Sequence, residues 1–205
     1  MYARTTTVRG DPRAVDDGIG FVRDSVWPMV QKMSGCVGQS MLADRDAGRC
    51  IITTAWATDE AMRASAETVK ESRAQAAEVL RADTVAIEEW EIAALHRVHP
   101  AGDGACARVI WSETDQMDGM LDSFRMSLLP RMEELPGFCS VSLLTDRMTG
   151  RASAAITYES RDALVRSRGM ATGMREDFAA AMGARITEVA EFDLVLAHLR
   201  VPEMA

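Results

Sequence analysis

The sequence predicts an α+β fold made of two tandem copies of one domain of about 100 residues each. Residues 33–65 match residues 135–167 when the chain is shifted by 102 positions, and nine of the matched residues are identical. Within each copy the pattern of apolar residues indicates a strand, a helix, two strands, a helix and a strand, in that order. A chain of 205 residues also suits two small domains, each of which buries a modest core.

The repeat keeps one spacing from position 25 to position 96, whereas the first strands align at a shift of 104. About two identities are expected by chance over the matched segment, so nine indicate a true duplication. The segment 99–104 is the predicted linker because Pro and Gly there break regular structure. The predicted domains are therefore residues 1–98 and 105–205. The identical pairs are Gly35/Gly137, Ser40/Ser142, Leu42/Leu144, Asp44/Asp146, Arg45/Arg147, Gly48/Gly150, Arg49/Arg151, Ala61/Ala163 and Ser65/Ser167.

The first half of each copy is a predicted strand followed by a helix. In the first copy, residues 2–8 are rich in Thr and Val, which favours a strand. The Asp-Pro pair at 11–12 suits the N-cap and the first position of a helix. We expect this helix to run to about Trp27 and to break at Pro28, because proline lacks the N–H group that a helix interior requires. One further turn is expected to end at Gly35.

The second half of each copy is a predicted hairpin, a helix and a last strand. The hairpin loop ends at Gly48 in the first copy and at Gly150 in the second, where glycine supplies a positive φ angle. Thr58 and Ser160 are predicted to cap the following helices by accepting from free backbone N–H groups. The elements predicted for the first copy are strands over 36–44 and 49–57, a helix over 59–80 with an interruption near 68–70, and a strand over 84–96.

The composition narrows the classes of partner. The net charge is −8 and the basic residues form no run, so we expect no nucleic-acid surface. The longest apolar runs fall short of the roughly 18 residues that span a bilayer, and the first ten residues lack a signal-peptide core. We therefore expect a cytoplasmic protein without a membrane partner. The cysteines lack C-x-x-C spacing and are expected to be small buried residues; they are Cys36, Cys50, Cys106 and Cys139.

The residues around the predicted hairpin resemble a known family. The pattern is Asp-Arg-x-x-Gly-Arg, a strand ending in Trp56 or Tyr158, and then [TS]-x-[ED]-A-[ML]-x-x-S; the segment 135–138, LPGF, precedes the second strand. This pattern is similar to the dimeric α+β barrel superfamily, and most of all to its antibiotic-biosynthesis-monooxygenase-like (ABM) branch. The resemblance covers nearly the whole chain. It implies two ferredoxin-like β-α-β-β-α-β repeats packed sheet to sheet as a pseudo-dimeric α+β barrel.

The resemblance also implies which catalytic residues to look for. Quinone-forming and haem-degrading members of the family rely on an Asn in the barrel pocket, and this sequence contains no Asn. The haem-degrading members use a His on the second helical segment as the iron ligand. In the family pattern, Ser65 and Ser167 occupy the position where that His often sits. We therefore expect no bound cofactor and transfer neither active site to this chain.

The candidates for catalysis are four side chains. His96 and His198 are the only histidines at equivalent positions, and they either act as acid or base at the barrel mouths or simply pack at a strand end. A metal pair of His96 and His99 is not expected, because no Cys or carboxylate lies at ligand spacing. Tyr158 is a candidate general acid. Arg151 belongs to the Asp-Arg hairpin pattern, which indicates either an anion site or a loop held by ion pairs.

The residues predicted to bind a ligand are all aromatic, and Tyr158, the candidate general acid, is one of them. The pairs Trp56/Tyr158 and Trp90/Phe192 are aromatic in both copies, as expected for a flat pocket wall or for core packing. Trp111 stands where the first copy has a Thr, so the second copy is the expected place of a single pocket.

The sequence observations and the family resemblance leave three alternative functions open. The first is a protein that binds a small hydrophobic or aromatic molecule in the barrel without catalysis. The second is a cofactor-independent monooxygenase-like enzyme that acts on an aromatic metabolite. The third is a structural paralogue with a filled barrel. The expected state is a monomeric pseudo-dimer or a homodimer, because an internal barrel removes the need to dimerise without forbidding it.

Overall fold

The computed structural model describes residues 1–199, and residues 200–205 at the end of the predicted second domain lie outside that range. The strands follow the hydrogen-bonded order β1-β3-β2-β8-β5-β7-β6-β4 and close into a barrel. The α+β fold class predicted from the repeat is therefore confirmed. The strands are β1 (Tyr2–Arg9), β2 (Cys36–Asp44), β3 (Arg49–Trp56), β4 (Thr84–Arg97), β5 (Cys106–Glu113), β6 (Phe138–Asp146), β7 (Arg151–Tyr158) and β8 (Arg185–Leu199).

The same antiparallel pairing is found in both copies. In the first copy, β1 lies between β3 and β4, with Tyr2 opposite both Trp56 and Glu91. In the second copy, β5 lies between β7 and β8. The chain forms two compact units, of which the first comprises Met1–Glu91 and β8 from Leu194 onward, and the second comprises Ile92–Asp193. Because β4 and β8 each contribute to both units, the domain limits at 98 and 105 stay a prediction.

The helices lie where the repeat predicts them. Thr58 accepts a hydrogen bond from the backbone N–H of Ala61, and Ser160 accepts one from Ala163, so both predicted caps are confirmed. Among residues 1–199, no helix has both the length and the apolar character that a membrane crossing requires. The helices are α1 (Val15–Phe21), α2 (Trp27–Val30), α3 (Asp59–Ala64), α4 (Thr68–Val79), α5 (Met117–Ser123), α6 (Leu129–Glu133) and α7 (Arg161–Ala181).

The predicted helix break at Pro28 is wrong. A 3-10 turn at Pro12–Ala14 leads into α1, and a π turn at Val22–Val26 then joins α1 to α2, which contains Pro28. The π turn widens the helix just before the proline, where the ring would otherwise clash with the preceding turn. The second copy has the same arrangement, with a π turn at Phe124–Leu128 ahead of Pro130. Proline therefore changes the type of helix here without ending it.

All four cysteines are free thiols, as the sequence predicts. Cys50, Cys106 and Cys139 are buried, whereas Cys36 is only half-buried. Burial raises the pKa of the Cys50 thiol to about 11, so that this side chain is neutral at physiological pH. A neutral buried thiol is a packing residue rather than a nucleophile.

Candidate functional site

A buried arginine ties the first strand of each copy to its second helical segment. In the first copy, Arg4 on β1 is 5% exposed and donates to Ser65 Oγ at 2.8 Å and to the carbonyl of Met62 at 2.8 Å. It also donates to the carboxylate of Glu89 on β4, from Nε at 3.0 Å and from Nη2 at 2.6 Å. Four of the five guanidinium N–H groups of Arg4 are therefore used within the described residues.

The second copy repeats this network and adds one bond. Arg108 donates to Ser167, to the carbonyl of Leu164 and, through two nitrogens, to Glu191. Its Nη1 also donates to the hydroxyl of Tyr158 at 3.1 Å, so all five N–H groups are used. Burial raises the pKa of Glu191, but hydrogen bonds from Arg168 and Arg108 outweigh that effect and hold the pKa below its ordinary value.

The repeated serines Ser65 and Ser167 are structural members of these networks. Each serine hydroxyl accepts from the buried arginine and donates to a carbonyl one turn earlier, as in Ser65 to Met62 at 2.6 Å and Ser167 to Leu164 at 2.7 Å. The sequence repeat identified the serine pair but not the arginines. Arg4 and Arg108 align at the shift of 104 that relates the first strands of the two copies. That alignment is the sequence signal that pairs the two arginines.

A cavity lies between the sheet and the helices of each unit. The cavity of the first unit has an empty volume of ≈ 550 Å³, which includes space open to solvent, and that of the second has ≈ 710 Å³. Both are lined by the first and third strands of the copy, by the π turn and by the second helical segment. Most lining positions are equivalent in the two copies; examples are Thr6/Ile110, Val22/Phe124, Val30/Met132, Ile52/Ala154, Thr54/Ile156, Ser72/Met174 and Arg73/Arg175.

The two cavities differ in chemistry. The lining of the first combines valines with polar groups, which are Arg4, Thr6, Gln39, Thr54, Trp56, Ser72 and Arg73. The lining of the second is apolar apart from Ser112 and Arg175. The duplicated position that holds Ser72 in the first copy holds Met174 in the second, and that of Thr54 holds Ile156. The two equivalent cavities therefore differ in polarity: the lining of the first is partly polar and that of the second is almost entirely apolar.

The aromatic residues predicted to bind a ligand are divided between the two faces of the sheet. Trp56 lines the cavity of the first unit. Trp90 lies opposite Ala3 and donates its indole N–H to Thr5 at 2.9 Å, which places it on the other face of the sheet from Arg4. Phe192 is the equivalent of Trp90 and is fully buried.

The two remaining ligand-binding candidates lie in the second unit. Trp111 is half-buried and alternates along β5 with Ile110 and Ser112, which line the cavity there. Tyr158 is fully buried and is held by Arg108. Neither Trp111 nor Tyr158 contributes to the lining of this cavity.

None of the four catalytic candidates lines either of these cavities. The ring of His96 lies 2.8 Å from Glu133, and the exposed His198 stacks on Trp27 at 4.8 Å. Burial raises the pKa of the Tyr158 hydroxyl, in spite of the neighbouring Arg108. Arg151 pairs with Asp146, a contact within the hairpin.

The hairpin residues are used for local structure. Asp44 accepts from the backbone N–H groups of Asp46 and Ala47, at 3.1 and 3.0 Å. Asp146 accepts in the same way from Met148 and Thr149 in the second copy. These contacts support the interpretation of a loop held by aspartate rather than an anion site. Across residues 1–199, no three His, Cys, Asp or Glu side chains come together as a metal site would require.

Comparison with known proteins gives both a family and a fold. No family model matches the chain. The uncharacterized protein Rv2558 of Mycobacterium tuberculosis is 48% identical over 207 residues, which cover 100% of this chain and 87% of that protein.

Solved structures share the fold at low identity. An anthrone oxidase-like protein superposes with a TM-score of 0.66 at 12% identity, over 100% of this chain and 95% of the other. A ferredoxin-fold protein from Listeria monocytogenes, related to antibiotic biosynthesis monooxygenases, gives 0.53 at 7% identity over 94% of both chains. The chain thus belongs to the family of Rv2558 and has the ABM-like fold, a pseudo-dimeric α+β barrel built from two ferredoxin-like repeats.

Proposed function

We propose that the protein binds a small hydrophobic molecule in the cavity of the second unit, without catalysis. The observation that carries this proposal is the lining, in which Phe, Met, Leu and Ile side chains surround space between the described residues. A predominantly apolar lining with a few polar groups is typical of small-molecule sites. The methionines Met120, Met132 and Met174 adapt readily to different ligand shapes, because their side chains are unbranched and polarizable.

The same cavity offers no group suited to acid–base chemistry. Its polar members are Ser112 and Arg175, and the guanidinium of Arg175 donates to Thr172 at 3.5 Å. A general acid or base needs a pKa near the working pH and a place within reach of the substrate. The described residues that line the cavity include no carboxyl, imidazole, amine, phenol or thiol group of the kind that usually performs this step, which favours binding over an enzyme. The fold shared with an anthrone oxidase-like protein suits a flat aromatic ligand.

The proposal is tested by titration with N-phenyl-1-naphthylamine, an uncharged probe whose fluorescence rises in apolar surroundings. Two substitutions taken from the first copy narrow the second cavity, Ala154→Ile and Ala171→Val, since Ile52 and Val69 occupy those places there. We expect the double variant to bind the probe at least about tenfold more weakly than the natural protein.

The matched control is Ser72→Met, which narrows the cavity of the first unit. The second copy has methionine, Met174, at the equivalent position. This variant should bind the probe with unchanged affinity. Binding that survives in the double variant, or that disappears in the control alone, contradicts the proposed place of binding.

A further inference from the structure

The cavity of the first unit contains polar atoms for which the described residues supply no partner. Gln39 and Trp56 are each only 1% exposed and both line this cavity. Within the described residues, Gln39 Oε1 and Trp56 Nε1 form no hydrogen bond. A buried polar atom without a partner costs free energy, and such groups call for a specific explanation.

The second copy shows that these atoms are not a requirement of the fold. Val141 occupies the place of Gln39 there, and it is fully buried in an apolar core. Tyr158 occupies the place of Trp56, and its hydroxyl accepts the fifth N–H group of Arg108. Because an indole has no acceptor, the change from Tyr to Trp leaves one Nη1–H of Arg4 unused and adds the indole N–H as a further donor.

A second cation faces the same space. Arg73 on α4 lines the cavity, is half-buried, and makes no hydrogen bond or ion-pair contact with another described residue. Burial lowers the pKa of Arg73 and the charge of Arg4 lowers it further, while the charge of Glu89 opposes both effects. Arg4 forms an ion pair with Glu89, and the same carboxylate acts on Arg73 only through its charge. Two guanidinium groups that share one carboxylate favour a further anion between them.

We propose that this cavity is a separate binding site for a small hydrophobic carboxylic acid. The carboxylate accepts from Arg73 and from the unused N–H groups of Arg4 and Trp56. Its apolar body lies among the valine and isoleucine side chains that complete the lining, such as Val26. Gln39 Oε1 accepts from a hydroxyl or N–H substituent of the ligand. This proposal goes beyond the proposed function, because it concerns another cavity and another chemical class.

The test compares 2-naphthoate with its uncharged methyl ester by calorimetric titration of the Ala154→Ile/Ala171→Val variant, in which the narrowed second cavity does not compete for the ester. We expect the acid to bind at least about tenfold more tightly than the ester, because charge-assisted hydrogen bonds are lost with the charge. Arg73→Gln should weaken the acid about tenfold and leave the ester unchanged. This variant is expected to fold, since Arg73 forms no hydrogen bond or ion pair with any of residues 1–199, and circular dichroism checks that it does.

The matched control is Arg175→Gln, which removes the equivalent arginine in the second unit and should leave the affinity for the acid unchanged. Ser72→Met should prevent binding of 2-naphthoate but not of N-phenyl-1-naphthylamine. The two probes therefore report separately on the carboxylate site and on the proposed function. Equal affinity for acid and ester, an equal loss in Arg175→Gln, or no binding of 2-naphthoate at millimolar concentration overturns the proposal.

Discussion

Replacement of Arg108 by methionine is expected to lower the free energy of unfolding by about 3 kcal/mol. The substitution keeps most of the apolar volume but removes all five hydrogen bonds of a side chain that is 2% exposed. It leaves Glu191 and the hydroxyls of Tyr158 and Ser167 without their shared donor. Urea denaturation followed by circular dichroism measures the change.

Two further variants test whether the loss of stability depends on how deeply the ion pair is buried. Arg4→Met should cost less than Arg108→Met, because its partner Glu89 is more exposed to water than Glu191 is. Arg147→Met breaks an exposed ion pair with Asp118 and should change stability by no more than about 1 kcal/mol. Equal losses in all three variants would mean that burial does not set the cost.

Gly48→Ala is expected to lower the free energy of unfolding by about 2 to 4 kcal/mol. Gly48 has a φ of 61°, which is unfavourable for a residue with a Cβ atom. That atom would also lie 2.2 Å from the carbonyl oxygen of Gly10, a backbone atom that cannot move aside alone. Thermal unfolding and urea titration both report the loss.

The control for this substitution is Gly20→Ala. Gly20 lies within α1, and a Cβ atom there would meet nothing within 4 Å. Alanine is the better helix former, so this variant should be more stable by about 0.5 to 1 kcal/mol. A loss of stability at Gly20 similar to that at Gly48 would show that the turn geometry is not the cause.

The elements of the fold could be predicted from the sequence because the repeat marks them twice. The predicted strand over 36–44 coincides with β2, and both predicted helix caps are present. The π turn ahead of Pro28 could not be predicted, since no residue pattern distinguishes a widened helix from a broken one. The bond from Arg4 to Ser65 joins residues 61 positions apart, and periodicity carries no information at that distance.

The residues that line the two cavities could be predicted only in part, for a related reason. Aromatic character indicated burial, but strand alternation decides which face of the sheet a side chain lies on. Trp56 therefore lines a cavity while Trp90 and Trp111 do not line either of the two described. Gln39 carries no signal in the repeat, because the second copy has Val141 at that position. Arg73 is repeated as Arg175, but a repeated arginine in a predicted helix does not by itself indicate that the side chain lines a cavity.

The most direct test of a ligand site in the second unit is carbon-13 NMR of methionine methyl groups during titration with N-phenyl-1-naphthylamine. Met120, Met132 and Met174 line that cavity, whereas Met41 lies in the core of the first unit and Met148 is 98% exposed. We predict that the methyl resonances of the three cavity methionines shift together and saturate, while those of Met41 and Met148 stay in place. Unshifted cavity methionines at saturating probe, or a shift confined to exposed ones, would contradict the proposed site.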